Sequence, residues 1–336
     1  MRIAQLIFGG AFGGVERHAV ELSNALAERH ETVLAYTRRP GGSALEAALD
    51  IQLNPAVSRL ALPKRWPGPA LWRAVRQLGI DIAHSHDERA SRHAVRWARG
   101  ARKLATLHMP YDRRAHASCD GLVCLTDMQR SLVRGFRGQI ATIGNWVLPH
   151  RQLSAEEIFA LRHQFGATGN TFLIGSVGRL MPVKGFDLLV EAFRKAALPD
   201  SRLVILGDGP LRDELARQGG PQVLLPGFRS DVKDCVQAFD LFVSSSRWEN
   251  YPLAVLEAMD AGLPIICTAT AGSRASLGEA PFTWVPPDDA SALETALRAM
   301  YERRPGRCIY AMERHRLEVR TAEIEALYAS LLSPPS

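Results

Sequence analysis

Short apolar runs alternate with stretches of helical period along the whole chain. In the first half, IAQLIF (3–8), TVLAY (32–36), IDIAHS (80–85), LATLH (104–108), LVCLT (122–126) and IATIG (140–144) predict strands. Between the first two, VERHAVELSNALAE (15–28) repeats Val15, Ala19, Leu22 and Leu26 at helical spacing. The pattern restarts past residue 150 with FLIGSVG (172–178), RLVILG (202–207), VLLPG (223–227), LFVSS (241–245) and PIICTA (264–269), each followed by a helical stretch. Nearly continuous apolar strands alternating with helices predict parallel sheets covered on both faces. The chain therefore reads as α/β, with one doubly wound domain over 1–150 and a second over 151–310. Segment 145–155 reads as a linker, and 311–336 as a C-terminal helical segment that could return to the first domain. Ligands of such sheets bind beyond the carboxyl ends of the strands, so chemistry is to be sought just after each strand.

Composition narrows the class. A chain of 336 residues, 46% hydrophobic and 23% charged, can bury two cores and is too apolar for disorder. No apolar run approaches the roughly 18 residues of a membrane-spanning helix. The N-terminus reads as a strand entering a glycine loop and not as a secretory leader. Five cysteines without a CxxC pair indicate neither a disulfide framework nor a structural zinc site. The expectation is a cytoplasmic protein. Charge is divided unevenly: residues 1–150 carry 21 basic and 12 acidic side chains, and 151–336 carry 20 and 23. A basic first half fits anionic partners, such as phosphates or an anionic membrane surface. No nucleic-acid-binding module accompanies it.

Candidate chemistry lies at the predicted strand ends. GGAFGG (9–14) follows the first strand and opens a helix, so its amides could face an anion. Its spacing is not GxGxxG, and no acidic residue ends the second strand, which disfavours a nicotinamide site. In GSVGRLMPVKGFDLL (175–189), Arg179 and Lys184 stand five apart between a strand and a helix, as a diphosphate clamp would need. GDGP (207–210) reads as a turn opening a helix. In SSSRWENYPLAVLEAMDAGLP (244–264), Asn250 is placed to cap a helix that Pro252 helps to start. Glu249 precedes that helix and Glu257 lies within it, about 12 Å apart if all eight steps were helical. Carboxylates so placed suit the hydroxyls of a sugar and of a ribose, with a diphosphate between them.

Taken together, GGVER, GRLMPVKG, GDGP, LPGF and EN-YPLAVLEAMDAGLP resemble a retaining glycosyltransferase of family 4 with the GT-B fold. The resemblance covers nearly the whole chain and is most specific over 172–270, where Glu249 and Glu257 match the E-x7-E signature. It implies two Rossmann-like domains facing an interdomain cleft. The second domain would hold a UDP- or GDP-sugar, and the first a glycan or lipid-linked acceptor. Carried over, Arg179 and Lys184 neutralise the diphosphate, Glu257 binds ribose and Glu249 contacts the transferred hexose. Gly13 and Gly14 approach the donor phosphate, and His108 matches an active-site histidine. Phe228 sits at the base, and Asn250, Tyr251, Pro252 and Leu253 form the loop beneath sugar and phosphates. Asn145 matches a linker asparagine. The chain departs from the family at AGSRAS (271–276), where Ala275 stands near an expected carboxylate.

The resemblance further implies no cofactor and no metal, since no DxD-type pair is present. It implies a place in lipopolysaccharide or exopolysaccharide synthesis, peripheral on the inner membrane face. A nucleotide-sugar epimerase of similar fold and a non-catalytic nucleotide-sugar-binding protein are the alternatives.

Overall fold

The computed structural model describes residues 1–9, 12–38 and 41–333. It divides into two compact units, Met1–Trp146 with His315–Ser336, and Val147–Arg314. The first contains seven strands: β1 (Arg2–Ile7), β2 (Glu31–Arg38), β3 (Ser58–Pro63), β4 (Ile82–Ser85), β5 (Arg102–Leu107), β6 (Gly121–Cys124) and β7 (Gln139–Thr142). All pair in parallel in the order β3-β2-β1-β4-β5-β6-β7, with Ile3 of β1 opposite both Thr32 and Ile82. The apolar runs became strands because both faces of the sheet are covered. The edge strand β3 was missed because only Leu62 in it is buried, so SRLALP shows no apolar run.

The second unit repeats the plan with β8 (Phe172–Val177), β9 (Ser201–Leu206), β10 (Val223–Gly227), β11 (Leu241–Ser244), β12 (Ile265–Thr268) and β13 (Thr283–Val285), ordered β10-β9-β8-β11-β12-β13. β13, also missed, has three residues, too few to show a period. On the helix Phe186–Ala196, Phe186, Leu189, Val190 and Phe193 recur at 3–4-residue steps and bury one stripe against this sheet. Each such side chain stabilises the fold by about 1.5–3 kcal/mol when fully buried.

In each sheet the strand order reverses once, between β1 and β4 and between β8 and β11. Such switch points open a crevice at the carboxyl ends, where ligands of wound sheets bind. The loops that leave β1, β4, β8 and β11 are thereby placed where chemistry is expected.

The division between units falls after Trp146, four residues ahead of the boundary expected at 150. Trp146 is buried and donates its indole N–H to Glu21 at 2.7 Å, which makes it core of the first unit and not linker. The C-terminal helix Leu317–Leu332 also belongs to the first unit. Its Tyr328 is fully buried and meets Gln5 of β1 and His84 of β4 at 3.0 and 2.7 Å. Tyr328→Phe strips both groups of that partner at no cost in shape. Leaving buried polar atoms unsatisfied costs about 1–3 kcal/mol, so a lowered melting temperature is expected in a thermal-shift assay. Among the described residues no helix is long and apolar enough to cross a membrane.

Candidate functional site

The chain leaving β8 passes Gly178, Arg179, Leu180 and Met181, makes one 3-10 turn over Pro182–Lys184 and enters the helix Phe186–Ala196. Gly185 adopts φ +62°, and a Cβ there would collide with the carbonyl of Ser245. Only glycine lets this loop seat directly on the one leaving β11. The seat is reinforced from the other side: Ser245 Oγ donates to the Lys184 carbonyl at 3.0 Å, and the Arg247 amide donates to the Val183 carbonyl at 2.9 Å. The Arg247 guanidinium grips Asp187 with two bonds of 2.7 and 2.6 Å and reaches Asp288 at 2.6 Å. Bonded to Arg247, Asp187 stays below the usual carboxylate range.

Lys184 and Glu249 meet as an ion pair. The same Glu249 oxygen accepts from Ser246 Oγ at 2.9 Å, and the carboxylate side chain is only 12% exposed. Of the two cations expected to converge, Lys184 is thus engaged by Glu249, whereas Arg179 is exposed, its guanidinium without a hydrogen bond or ion pair among the described residues. Glu257 is buried on the helix Leu253–Asp260. Asn250, Tyr251 and Pro252 are buried and Leu253 opens the helix.

Two expectations for this helix are corrected. Its N-cap is Pro252 and not Asn250: Pro252 is still extended, at φ −76° and ψ 106°, and the helical residues begin at Leu253. Glu249 lies four residues before the first helical residue, so the helical rise spans only Leu253 to Glu257, and the 12 Å ladder does not apply. The turn at Glu249–Asn250 is instead set by Gly272 in the helix Ala271–Leu277. A Cβ on Gly272 would lie 2.6 Å from Asn250 Cα and 2.7 Å from the Glu249 carbonyl carbon. Ala275, on the same helix, is exposed.

GDGP does more than turn the chain. Leu180 donates its amide to the Asp208 carbonyl at 2.9 Å, and Leu211 returns one to the Leu180 carbonyl at 3.1 Å. The turn therefore buttresses the loop that carries Arg179. Phe228, after β10, is 67% exposed, an open ring at the carboxyl edge.

In the first unit, Gly14 begins the helix Gly14–Leu26 and Gly13 is its N-cap. The Gly13 amide donates to Glu16 Oε2 at 3.0 Å, so a phosphate there would have to displace a carboxylate of the chain itself. Gly10 and Ala11 of the GGAFGG loop lie outside the described residues. His108 follows β5, with its Nε2 3.5 Å from Nδ1 of His86, which follows β4. Burial lowers the pKa of His108 to about 4. Gln129 steadies its loop, donating to the carbonyls of Leu107 and Met109 at 2.8 and 3.1 Å. The ring of His18 stands edge-on to His108 at 4.6 Å, and Asn145, beside His18, opposes the depression of that ring's pKa by burial. A separate cavity of about 820 Å³ is lined by Arg38, Lys64, Arg65 and Arg89 together with Gly42 and Glu46.

Arg247, Gly272, Gln129, His18 and His86 join the site only in the folded chain. The doubled histidine of IAHSHD at a strand end was the one local signal available for His86. The others act through residues far away in sequence.

Residues 12–151 match the family described as Glycosyltransferase Family 4, and residues 171–303 the family described as Glycosyl transferases group 1. The chain is 28% identical over 288 residues to the lipopolysaccharide core biosynthesis glycosyltransferase LpsE of Rhizobium meliloti (strain 1021), covering 82% of this chain and 81% of that one. Over 119 residues, 32% of this chain and 31% of the other, it is 37% identical to the UDP-Gal:alpha-D-GlcNAc-diphosphoundecaprenol alpha-1,3-galactosyltransferase of Escherichia coli. Its backbone is similar to that of Anabaena HepE solved with UDP-glucose, at TM-score 0.77 and 18% identity over 99% of this chain and 96% of that one. A glycosyltransferase from Rickettsia africae ESF-5 superposes at TM-score 0.80 with 16% identity, over 99% of each chain. At these identities the structural likeness is one of fold.

Proposed function

Because this chain belongs to the glycosyltransferases of the GT-B fold, with a family 4 region followed by a group 1 region, we propose that it is a retaining, metal-independent hexosyltransferase. The observation that carries this reading is the Lys184–Glu249 pair at the β8/β11 switch point, with Glu257 buried on the helix that follows. A departing nucleoside diphosphate gains charge on the oxygen released from the anomeric carbon, and preorganised cations stabilise that charge. Lys184 and Arg179 fill this role and make a divalent ion unnecessary. Glu249 accepts from hexose hydroxyls and orients Lys184, and Glu257 accepts from the ribose diol. Asn250, Tyr251, Pro252 and Leu253 shape the floor, and Phe228 flanks the base. The acceptor oxygen attacks on the face the diphosphate leaves, and a phosphate oxygen takes its proton, so configuration is retained. In the first unit Gly13 and Gly14 serve phosphate once the Glu16 carboxylate is displaced from the Gly13 amide, and His108 contacts the reacting sugar.

HepE with UDP-glucose and the Escherichia coli UDP-Gal enzyme support a UDP-hexose as the first donor to test, with GDP-hexoses second. Similarity to LpsE supports an acceptor in lipopolysaccharide core assembly. The Arg38, Lys64, Arg65 and Arg89 cavity favours an acceptor bearing phosphate at the inner, anionic membrane surface. Peripheral binding of this kind weakens with salt, so vesicle co-sedimentation falling steeply with ionic strength is expected.

The deciding experiment measures nucleotide release from a panel of sugar nucleotides, with and without lipid-linked or core-oligosaccharide acceptors. The anomer of the first product is read by NMR. Release provoked by no donor rejects transfer, and an inverted anomer rejects retention. Arg179→Ala is expected to raise the donor KM about 10-fold or more, the worth of a charge-assisted hydrogen bond. Its melting temperature should not move, since the Arg179 guanidinium is exposed and bonds no described residue.

A further inference from the structure

We propose that His18, His86 and His108 form a binding site for a borderline divalent transition-metal ion such as Zn²⁺. One ring nitrogen from each lies within 4.8 Å of the others. His86 and His108 approach to 3.5 Å, close to the about 3.3–3.4 Å that separates two nitrogens held at about 2.0–2.1 Å on a tetrahedral ion. His18, buried against Trp146, supplies the third nitrogen, and its ring must close from within 4.8 Å to that spacing on binding.

The surrounding bonds fix which atoms are available. Gln5 Nε2 donates to Tyr328 Oη at 3.0 Å, so Gln5 Oε1 is the acceptor that faces His86 Nε2 at 2.6 Å. The His86 proton therefore sits on Nε2 and the lone pair on Nδ1, the atom turned toward His108. His84 Nδ1 lies 2.7 Å from Tyr328 Oη and its Nε2 2.8 Å from Thr106 Oγ1, and either tautomer of the ring satisfies both hydroxyls. His84 is thus fully used by protein partners, and the ligand set stops at three. A ligating histidine characteristically donates its other N–H to a fixed acceptor, which orients the ring and raises its basicity, and Gln5 supplies this for His86. Burial keeps all three rings in the neutral, lone-pair-bearing form. Three imidazoles with no carboxylate or thiolate suit Zn²⁺, Ni²⁺ or Cu²⁺ rather than Mg²⁺ or Ca²⁺.

The test is titration of the full chain with Co²⁺ as spectroscopic probe, followed by displacement with Zn²⁺. One equivalent is expected to bind with the visible ligand-field bands of a four-coordinate ion. His18→Ala and His86→Gln should each abolish the spectrum, while His163→Ala, an exposed histidine of the second unit, should leave it unchanged. Thermal melts establish that the variants fold, and Zn²⁺ should raise the melting temperature of the parent protein only. Absence of stoichiometric Co²⁺ binding, or binding that survives both variants, overturns the site.

One consequence rests on the role proposed for His108 in transfer. Zn²⁺ should inhibit nucleotide release, a chelator should restore it, and His18→Ala should lose the sensitivity. Binding without inhibition rejects that role of His108 and leaves the site standing. No binding rejects the site and leaves transfer untouched.

Discussion

Lys184→Ala is expected to lower kcat/KM for nucleotide release by about 10²–10³, the cost of removing one preorganised group that stabilises transition-state charge. The residue acts twice. In the proposed reaction it neutralises the departing diphosphate, and in the structure it holds Glu249, whose carboxylate is 12% exposed and otherwise bonded to Ser246. Without the lysine that carboxylate has only a hydroxyl to offset its desolvation, so stability should fall by about 1–3 kcal/mol. The two roles separate in a double substitution. Adding Glu249→Gln to Lys184→Ala removes the uncompensated charge and should recover most of the melting temperature, while turnover stays low. If the double variant recovers turnover as well, Lys184 serves only the structure of the loop.

Gly272→Ala is the second large effect. The new methyl would lie 2.6 Å from Asn250 Cα and 2.7 Å from the Glu249 carbonyl carbon. These are backbone atoms, so no side chain can swing aside, and the Glu249–Asn250 turn must move. Overpacking of this kind costs about 1–3 kcal/mol, and misplacing a reacting group by about 1 Å can cost about 10²-fold in rate. Loss of activity should exceed what the drop in melting temperature explains at the assay temperature. Gly306→Ala, where a Cβ meets nothing within 4 Å, is the matched control and should be neutral. A Gly272→Ala enzyme with parental turnover would mean that the turn does not set the position of Glu249.

The two-sheet plan could be read from the sequence because burial on both faces writes itself into composition. RIAQLI and FLIGSV have at most one residue outside the core or its margin, so their apolar runs survive any detail of packing. β3 and β13 could not be read, one lying at a half-exposed edge and the other three residues long. Arg179, Lys184 and Glu249 stand out in the sequence because each lies in a strand-end loop whose glycines, prolines and polar residues break the apolar pattern, and Glu257 because it interrupts an apolar helix; their roles rest on the proposed function. The helix cap was misread because Asn250 and Pro252 both carry helix-start signals, and local propensity does not decide between them.

What the sequence determined by itself is therefore what depends on nearest neighbours: the strands, their alternation with helices, and which loops hold charged and glycine residues. Strand order was decided only in three dimensions, and it brings the β8 loop beside the β11 loop although Lys184 and Glu249 are 65 residues apart. The same is true of Gly272 beneath Glu249, of Arg247 between Asp187 and Asp288, and of Tyr328 closing on Gln5 over a separation of 323 residues. Chain proximity leaves no periodic trace of such contacts, because each is fixed by the packing of whole elements and not by the residues next to it. The histidine triangle belongs here too. Its members come from one helix and two strand ends, and only the assembled sheet and helix bring their nitrogens within 4.8 Å of one another.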